Sequence, residues 1–155
     1  VGQGYDSHRL VAGRPLILGG VTIPFEKGLD GHSDADVLLH AVTDAVLGAA
    51  SLGDIGTHFP PSDPKWKGAD SGKLLAAVMD IAQAAGWQVV NLDATVICER
   101  PKLGALKEQI CANVAKLLGV APAQVSIKAK TNEKMDAVGR EEGMMALATV
   151  LLAKP

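Results

Sequence analysis

The pattern of hydrophobic positions is strongest between residues 31 and 59, where it predicts a helix buried on most of its circumference. The apolar positions behind this prediction are Val37, Leu38, Leu39, Val42, Ala45, Val46 and Leu47. They cover more than the single stripe of a surface helix. We expect Ser33 to cap the helix, Asp36 to complete a capping box, and the helix to run to about Leu52.

Three polar residues interrupt this apolar helix. Asp36, His40 and Asp44 recur every four positions, so their side chains lie along one helix face. Polar groups on a buried helix are paired with one another or bind a ligand. Two interpretations are therefore open. Either Asp36 caps the helix and His40 is a core histidine hydrogen-bonded to Asp36 or Asp44, or the polar stripe binds something.

Five segments predict strands, namely residues 1–10, 15–23, 87–99, 125–131 and 142–153. The pair Gly19 and Gly20 interrupts the second strand with a bulge or bend. The last segment fits a helix or a strand by periodicity alone. We predict a strand because Gly139 and Gly143 precede this segment and the strand before it needs a partner.

The remaining segments predict one connection, one long loop and two further helices, at residues 24–31, 53–69, 72–85 and 101–119. The loop contains three prolines and no apolar period. Loops of this length inside a compact domain are usually functional. Asp70 or Ser71 is expected to cap the helix that follows, and Gly86 to end it.

Together these elements predict an α+β fold in two layers, with helices on one face of a mixed β-sheet. With 155 residues the chain is expected to form a single domain, residues 1–155, around a substantial core. No predicted helix remains to cover the other face of the sheet. We therefore expect oligomerisation through that face.

Composition narrows the class of protein and partner. Hydrophobic residues make up 48% of the chain but aromatic residues only 3%, so the core must consist of Ala, Val, Leu and Ile. A net charge of −2 argues against a general nucleic-acid binder, and no apolar stretch is long enough to span a bilayer. Basic residues nevertheless cluster as is typical for a small anionic ligand, at Lys65, Lys67, Arg100, Lys102, Lys128, Lys130 and Lys134.

The two cysteines, Cys98 and Cys111, have no metal-finger spacing. They predict two buried free thiols in a reducing compartment. No signal peptide is recognisable, and because the chain begins at Val1, the removal of an upstream presequence stays open.

A candidate metal site combines the first strand with the central helix. Residues i and i+2 of a strand point the same way, so Asp6 and His8 share a face near the strand's end. Adding His40 gives two imidazoles and one carboxylate, a set that suits Zn²⁺ with its fourth position open, as in catalytic sites. Asp6 and His8 alone are equally typical of a surface strand end. The polar stripe containing His40 favours the metal site.

Two further segments carry candidate chemistry. Thr131 and Glu133 lie at a strand end among lysines, where a carboxylate can hold Mg²⁺ against phosphates; the alternative is a solvated turn with self-paired charges. Residues 99–104 join a strand to a helix whose first N–H groups, with Lys102, can bind a phosphate. The alternative there is an ordinary helix begun by proline.

Several motifs resemble a single family when taken in order along the chain. They are GYDSHRL, GHSDADVLLHAVTDAVLGAASLGDIGTHFPPSDPKWKGADS, RPKL and KTNEKMDAVGREEG. These motifs resemble the 2-C-methyl-D-erythritol 2,4-cyclodiphosphate synthases of the non-mevalonate isoprenoid pathway. The similarity covers essentially the whole chain, and it implies a homotrimer whose three sheets pack around a threefold axis.

The resemblance also implies a metal-dependent, cyclising phosphorus–oxygen lyase. The substrate is 4-diphosphocytidyl-2-C-methyl-D-erythritol 2-phosphate, and the products are the 2,4-cyclodiphosphate and CMP. By the same resemblance, one Zn²⁺ per subunit is expected to bind Asp6, His8 and His40, and a second ion, Mg²⁺ or Mn²⁺, to bind Glu133. Neither nucleic acid nor a membrane is expected as a partner. The expected location is a bacterial cytoplasm, or the plastid stroma if a transit peptide has been removed.

The remaining site residues also follow from the resemblance. His32 and Ser33 lie near the 2-phosphate, while Asp54 and Gly56 hold the erythritol hydroxyls beside a flexible flank, residues 59–63. The residues expected in catalysis are His32, Ser33, Asp54, Thr131 and Glu133. Those expected to bind substrate also include Asp6, His8, Gly56, Phe59, Asp63, Lys130 and Arg140. A cytidine and diphosphate pocket is expected from the neighbouring subunit, with Arg100, Pro101, Lys102, Leu103 and Thr131. Asp36 and Asp44 are expected to support the helix and its histidine.

Two departures from the family pattern are visible. Ala105 and Leu106 stand where Pro-His is frequent, and residues 139–143 read GREEG in place of the frequent GRGEG. Arg140 and Glu142 match positions that line the trimer's axial cavity, so the additional Glu141 adjoins it. Two other functions stay open: a zinc hydrolase in which metal-bound water attacks a phosphoester, and a trimeric ligand-binding module with a structural metal.

Overall fold

The computed structural model describes residues 1–155 and contains a five-stranded mixed sheet, a two-stranded hairpin and three long helices. The strands are β1 (Gly2–Ala12), β2 (Leu16–Leu18), β3 (Val21–Ile23), β4 (Lys27–Leu29), β5 (Gln88–Ile97), β6 (Val125–Lys130) and β7 (Gly143–Ala153). The long helices are α1 (Val37–Ala50), α3 (Ser71–Ala84) and α4 (Lys107–Leu118). Single helical turns are α2 (Ile55–His58) and α5 (Asp136–Gly139), with 3-10 turns at Pro64–Trp66, Gly104–Leu106 and Pro122–Gln124.

The sheet has the strand order β4-β1-β7-β5-β6, and only the pair β5 and β6 is parallel. The C-terminal segment forms the central strand β7, which confirms the prediction of a strand there. Its expected partner was wrong, because β7 pairs with β1 and β5 while β6 pairs with β5. Helix α4 connects β5 to β6, and a helical crossover of this kind joins parallel strands.

The helices lie on one face of the sheet, as predicted for a two-layer α+β fold. Along β7, Met144, Ala146, Ala148 and Val150 are buried in the core. Leu147 and Leu151 point the other way and are 37% and 39% exposed. Tyr5, which pairs with Leu147 in the sheet, is 53% exposed on the same open face. None of the helices has the length and hydrophobicity needed to span a lipid bilayer.

Two glycines allow α1 to pack directly on β1. A Cβ at Gly4 would lie 1.8 Å from the carbonyl oxygen of Ala41, and one at Gly2 would lie 2.0 Å from that of Ala45. Any larger side chain would separate strand and helix. This contact on one side, with α3 and the β2–β3 hairpin on others, explains why α1 is apolar on most of its circumference.

The cap of α1 differs from the prediction. Asp36, not Ser33, is the N-cap residue, and its carboxylate accepts a hydrogen bond from the Leu39 N–H at 3.0 Å. The same carboxylate accepts the N–H groups of Gly19 at 3.0 Å and Gly20 at 2.7 Å. Both glycines have positive φ in the β2–β3 turn. The tertiary donors from this turn explain why Asp36 is fully buried at the cap position.

Neither carboxylate of the polar stripe hydrogen-bonds to the His40 side chain, so the expected pairing of His40 with Asp36 or Asp44 was wrong, whereas Asp36 does cap the helix. Asp36 holds the β2–β3 turn, and Asp44 accepts the Ile55 N–H at 2.7 Å. Asp44 therefore ties the start of α2 to α1. Burial raises the pKa of Asp36 to about 6, although its three N–H donors favour the ionised form.

Other strands and helices also have boundaries that differ from the predicted ones. The second strand is a hairpin, β2 and β3, because the two glycines form its turn, and the expected connection 24–31 contains β4. The expected loop 53–69 contains α2 and a 3-10 turn. The third helix begins at Lys107 rather than at Pro101, since Leu106 at its N-cap provides no side-chain hydrogen bond and Gly104 disfavours an earlier start.

Candidate functional site

Three predicted metal ligands meet where β1 crosses α1. Asp6 Oδ2 lies 2.9 Å from His8 Nε2 and 3.0 Å from His40 Nδ1, and the two imidazole nitrogens are 3.2 Å apart. All three side chains are partly exposed, at 26%, 17% and 13% for Asp6, His8 and His40. They form a candidate site for a divalent metal ion.

The glycines of β1 explain how this cluster forms. Gly2, Gly4, Asp6 and His8 follow one another on the helix-facing side of the strand, where alternate residues share a face. Gly4 contacts Ala41, so the next two residues on that face meet His40. Asp6 and His8 lie within the strand rather than near its end. The strand continues to Ala12 because it leaves β7 after Arg9 and pairs with β4.

Hydrogen bonds orient the two histidines. His8 Nδ1 lies 2.7 Å from the carbonyl oxygen of Asp30, which can only accept, so this nitrogen carries a proton. Neutral His8 then turns the lone pair of Nε2 toward Asp6, and only the protonated imidazole of the metal-free protein donates from Nε2 to Asp6. His40 Nε2 lies 3.1 Å from Ser33 Oγ and 2.9 Å from Ser71 Oγ. Each histidine therefore anchors one nitrogen in the protein and turns the other toward Asp6.

Contacts within the cluster shift the pKa values of Asp6 and His8. Burial alone would raise the pKa of Asp6, but hydrogen bonds from His40 and His8 lower it to about 2. Burial disfavours the charged form of His8, yet its hydrogen bond to Asp6 and the adjacent carboxylate raise the pKa of His8 above its ordinary value. Asp6 thus presents a negative charge to any cation that enters between the two imidazoles.

The donor atoms fit a tetrahedral ion. Bonds of 2.0–2.2 Å place neighbouring ligands of a tetrahedral Zn²⁺ about 3.3 Å apart, and the separations here run from 2.9 to 3.2 Å. Two imidazoles and a carboxylate are also a ligand set found in catalytic zinc sites. Three lone pairs so close together repel one another unless a proton or a metal ion lies between them.

A cavity of about 240 Å³ opens beside this cluster. The predicted residues that line it are His8, His32, Ser33, His40, Gly56 and Phe59, with Pro61 from the predicted flank 59–63. They are joined by Ile55, Trp66 and Leu74, which sequence reasoning missed. Phe59 and Trp66 stack edge to face with ring centroids 4.9 Å apart. An apolar wall thus faces the metal ligands.

Asp54 and Asp63 flank the cavity without lining it. Asp54 caps α2, and its Oδ1 accepts both the N–H and the hydroxyl of Thr57, at 2.8 and 2.7 Å. Asp63 caps the next 3-10 turn and forms an ion pair of 3.2 Å with Lys65. Both carboxylates are therefore held by local hydrogen bonds.

The predicted nucleotide-binding residues, except Arg100, line a separate cleft. Its volume is about 320 Å³, and its walls include Pro101, Lys102, Leu103, Lys130 and Thr131. Thr131 Oγ1 donates to Glu133 Oε1 at 3.0 Å, and both side chains are close to the solvent. Within one chain this cleft and the metal-site cavity share no lining residue.

Several predicted cationic residues are already paired with acids. Arg100 Nη1 lies 3.0 Å from Glu26 and 3.4 Å from Glu141, and Arg140 Nε lies 2.8 Å from Glu142. Lys128 is paired with Asp93. The prediction of clustered cations for an anionic ligand therefore applies best to Lys102 and Lys130, which line the second cleft.

The largest cavity lies elsewhere. It measures about 560 Å³, is lined by Trp87, Gln88 and Leu118 among others, and contains no histidine, cysteine or acidic side chain. The predicted metal ligands His8 and His40 instead line the cavity of about 240 Å³.

The chain is similar to known proteins over nearly its whole length. The YgbB family model matches residues 1–153. The 2-C-methyl-D-erythritol 2,4-cyclodiphosphate synthase of Symbiobacterium thermophilum is 58% identical over 153 residues, which cover 99% of this chain and 98% of that protein.

Solved structures match as well. The bifunctional IspDF of Campylobacter jejuni aligns with a TM-score of 0.94 and 43% identity over 97% of this chain, which spans only 41% of that longer protein. A CDP-bound 2C-methyl-D-erythritol-2,4-cyclodiphosphate synthase aligns with a TM-score of 0.91 and 38% identity, over 98% of this chain and 99% of that one. These matches confirm the resemblance inferred from the motifs, and the chain belongs to the YgbB family, that of the 2-C-methyl-D-erythritol 2,4-cyclodiphosphate synthases.

Proposed function

We propose that the chain converts 4-diphosphocytidyl-2-C-methyl-D-erythritol 2-phosphate to 2-C-methyl-D-erythritol 2,4-cyclodiphosphate and CMP. An oxygen of the 2-phosphate attacks the β-phosphorus, and the bond from that phosphorus to the oxygen bridging the α-phosphate breaks. CMP leaves with the bridging oxygen. The identity of relatives over nearly their whole length supports this reaction, as does a CDP-bound structural neighbour.

The residues fit the demands of this reaction. The attacking group is already an anionic oxygen, so the site needs no strong general base. The difficulty is to hold two anions together, which makes the chemistry a matter of positioning and charge neutralisation. His32 and Ser33, beside the metal ligands in one cavity, are proposed to hold the 2-phosphate.

Asp6, His8 and His40 are proposed to hold one Zn²⁺. When bound, this ion would polarise the β-phosphate as a Lewis acid and neutralise its charge. Two anchored imidazoles and a carboxylate with a pKa of about 2 support the assignment. The convergence of these three side chains beside the cavity, which His8 and His40 line, is the observation that carries the proposal.

Two further carboxylates are proposed to act at the edges of the site. Both hydrogen bonds from Thr57 go to Oδ1 of Asp54, which leaves Oδ2 to accept an erythritol hydroxyl beside Gly56. Thr131 binds Oε1 of Glu133 and leaves Oε2 for a second cation, Mg²⁺ or Mn²⁺, which binds one or two carboxylates together with phosphate oxygens.

The complete site is proposed to form between subunits of a homotrimer. A cavity of about 240 Å³ is small for a nucleotide-linked substrate, since ligand pockets usually measure about 300–1,000 Å³. The second cleft, with Arg100 and residues 101–103, would come from a neighbouring subunit. Packing of the open sheet face, with Tyr5, Leu147 and Leu151, around a threefold axis would bring the two together. Phe59 and Asp63 would then flank the substrate, and Arg140 would line the axial cavity.

We further infer one catalytic domain, residues 1–155, built around a continuous cluster of 36 buried residues. Cys98 is buried as predicted, Cys111 is only half-buried, and both thiols are free, which supports a reducing compartment. The bacterial relatives favour a bacterial cytoplasm, with the plastid stroma as the alternative.

The reaction is tested by separating products. Incubation with the true substrate should release CMP and the cyclic diphosphate in equal amounts, whereas a linear phosphate product would indicate a zinc hydrolase. His40→Ala should abolish bound zinc and turnover while the oligomer persists. His58→Ala, which removes a histidine outside the cavity, should retain zinc. Dissociation of the His40→Ala oligomer would indicate a structural metal instead.

A further inference from the structure

A buried relay of hydrogen bonds connects Asp34, Ser71 and His40, on the side of the His40 ring that faces away from the metal position. Ser71, at the start of α3, is 1% exposed, and its hydroxyl lies 2.9 Å from His40 Nε2. The Ser71 hydroxyl also donates to the carboxylate of Asp34. That carboxylate accepts two backbone N–H groups as well, from Ser71 at 3.0 Å and from Asp36 at 3.1 Å.

The direction of these hydrogen bonds can be deduced. An ionised carboxylate only accepts, so the single hydroxyl proton of Ser71 must point to Asp34. The Ser71 oxygen can then only accept from His40, which requires a proton on Nε2. A neutral His40 with that proton has its lone pair on Nδ1, the nitrogen 3.0 Å from Asp6.

We propose that Asp34 and Ser71 are positioning residues that hold His40 in the Nε2–H tautomer and aim Nδ1 at the metal ion. This inference rests on the proposed metal site and deepens it. Partners of ligating histidines in other metalloproteins contribute about 10–100-fold to metal affinity. Asp34 and Ser71 were not among the predicted site residues.

Capping of α3 does not account for the relay. Asp70 already caps this helix by accepting the N–H groups of Gly72 at 2.8 Å and Lys73 at 3.3 Å. Asp34 instead connects the start of α1, through Asp36, with the start of α3, through Ser71. It therefore fixes the hydroxyl relative to the helix that carries His40.

Ser33 does not replace Ser71. Its hydroxyl oxygen lies 3.1 Å from His40 Nε2 and accepts the Ala35 N–H at 3.1 Å. No carboxylate takes the hydroxyl proton of Ser33, so that proton can rotate toward His40 or away from it. Only Ser71 fixes the protonation of the imidazole.

The test measures zinc affinity by competition with a chromophoric chelator, and the His40 tautomer by ¹⁵N NMR of the metal-free protein. Ser71→Ala should weaken zinc binding about 10–100-fold and mix the tautomers. Asp34→Asn should do the same, because its amide can donate to Ser71 and free the hydroxyl to donate to His40. The double variant should add little to either single change. Ser71→Thr should retain most affinity, and Ser126→Ala, at an exposed serine of β6, should match the unchanged protein.

Unchanged zinc affinity and an unchanged Nε2–H tautomer in Ser71→Ala would overturn the relay. If Ser71→Ala does not fold, the same two measurements on Asp34→Asn decide. Loss of thermal stability with both readings intact would identify a purely structural hydrogen bond and would also overturn it. If the unchanged protein itself binds no zinc, the proposed metal site fails, and this failure is distinguishable from that of the relay.

Discussion

Replacing Gly4 by alanine should destabilise the fold and distort the metal site, although Gly4 lies in β1 and is not one of the proposed metal ligands. The new methyl carbon would lie 1.8 Å from the Ala41 carbonyl oxygen and 2.8 Å from the Ala45 nitrogen. Both are backbone atoms of α1, so no side-chain rotation can relieve the clash. Reaching even 3.0 Å, below which such contacts do not occur, requires α1 to move by about 1.2 Å.

The shift has two measurable consequences. Overpacking of a core typically lowers the free energy of unfolding by about 1–3 kcal/mol. We expect Gly4→Ala to lie at the upper end of this range, because the methyl group would clash with backbone atoms. His40 precedes Ala41, so the same shift separates Nδ1 from Asp6 by more than the tolerance of about 0.2 Å for metal ligands. Misplacement by about 1 Å can reduce a rate about 100-fold, and we expect a loss of that order in kcat/KM for CMP release.

Gly48→Ala is the matched control. Gly48 lies on the same helix, but a Cβ there meets nothing closer than the Gln3 carbonyl oxygen at 3.9 Å. Alanine should stabilise the helix by about 0.5–1 kcal/mol and leave zinc affinity unchanged. Urea unfolding, chelator competition and CMP release measure the three quantities. A Gly4→Ala protein with unchanged stability and unchanged zinc affinity would refute the argument that this glycine sets the distance between β1 and α1.

Three further predictions follow from buried or perturbed groups. Asp36→Ala should lower the free energy of unfolding by about 3 kcal/mol or more, since three N–H groups lose their acceptor at about 1–3 kcal/mol each; a loss under 1 kcal/mol in urea unfolding would contradict this. Cys98 should be alkylated more slowly than Cys111 at pH 8, because burial raises the pKa of Cys98 to about 11; peptide mass spectrometry gives the order. In metal-free protein the pKa of Asp6 is lowered from 3.8 to about 2, which adds roughly 2 kcal/mol to the free energy of unfolding. This contribution is present above pH 3.8 and is lost as the pH falls toward 2. The difference in Tm between unchanged protein and Asp6→Asn should shrink over that range, and a constant difference would count against it.

Local patterns were sufficient for the main elements. The apolar positions between Val37 and Leu47 predicted α1, and the strand patterns of residues 1–10, 87–99 and 125–131 predicted β1, β5 and β6, because these signals depend only on neighbouring residues. Spacing alone also brought Asp6 and His8 together. The polar stripe then identified His40 as the third member, since a histidine within so apolar a helix needs a partner.

Features that depend on distant residues could not be predicted in the same way. Ser33 and Asp36 are both suitable cap residues, and the choice between them is made by the N–H groups of Gly19 and Gly20, which the fold brings from another segment. Ser71 was predicted only as a possible helix cap. Its contact with His40 depends on how α3 packs on α1, which no spacing in the sequence records.

Assembly with further copies of the chain would account for two features of the single chain. The sheet leaves Tyr5, Leu147 and Leu151 open to solvent, and the residues predicted to bind the ligand are divided between two clefts that share no lining residue. An assembly that covers the open face places neighbouring chains side by side, and so can bring the cleft of one chain to the metal cavity of the next. Because the same contact would bury the apolar face and complete the site, variants that disrupt the face should lose turnover while each chain keeps Asp6, His8 and His40 in place and still binds zinc.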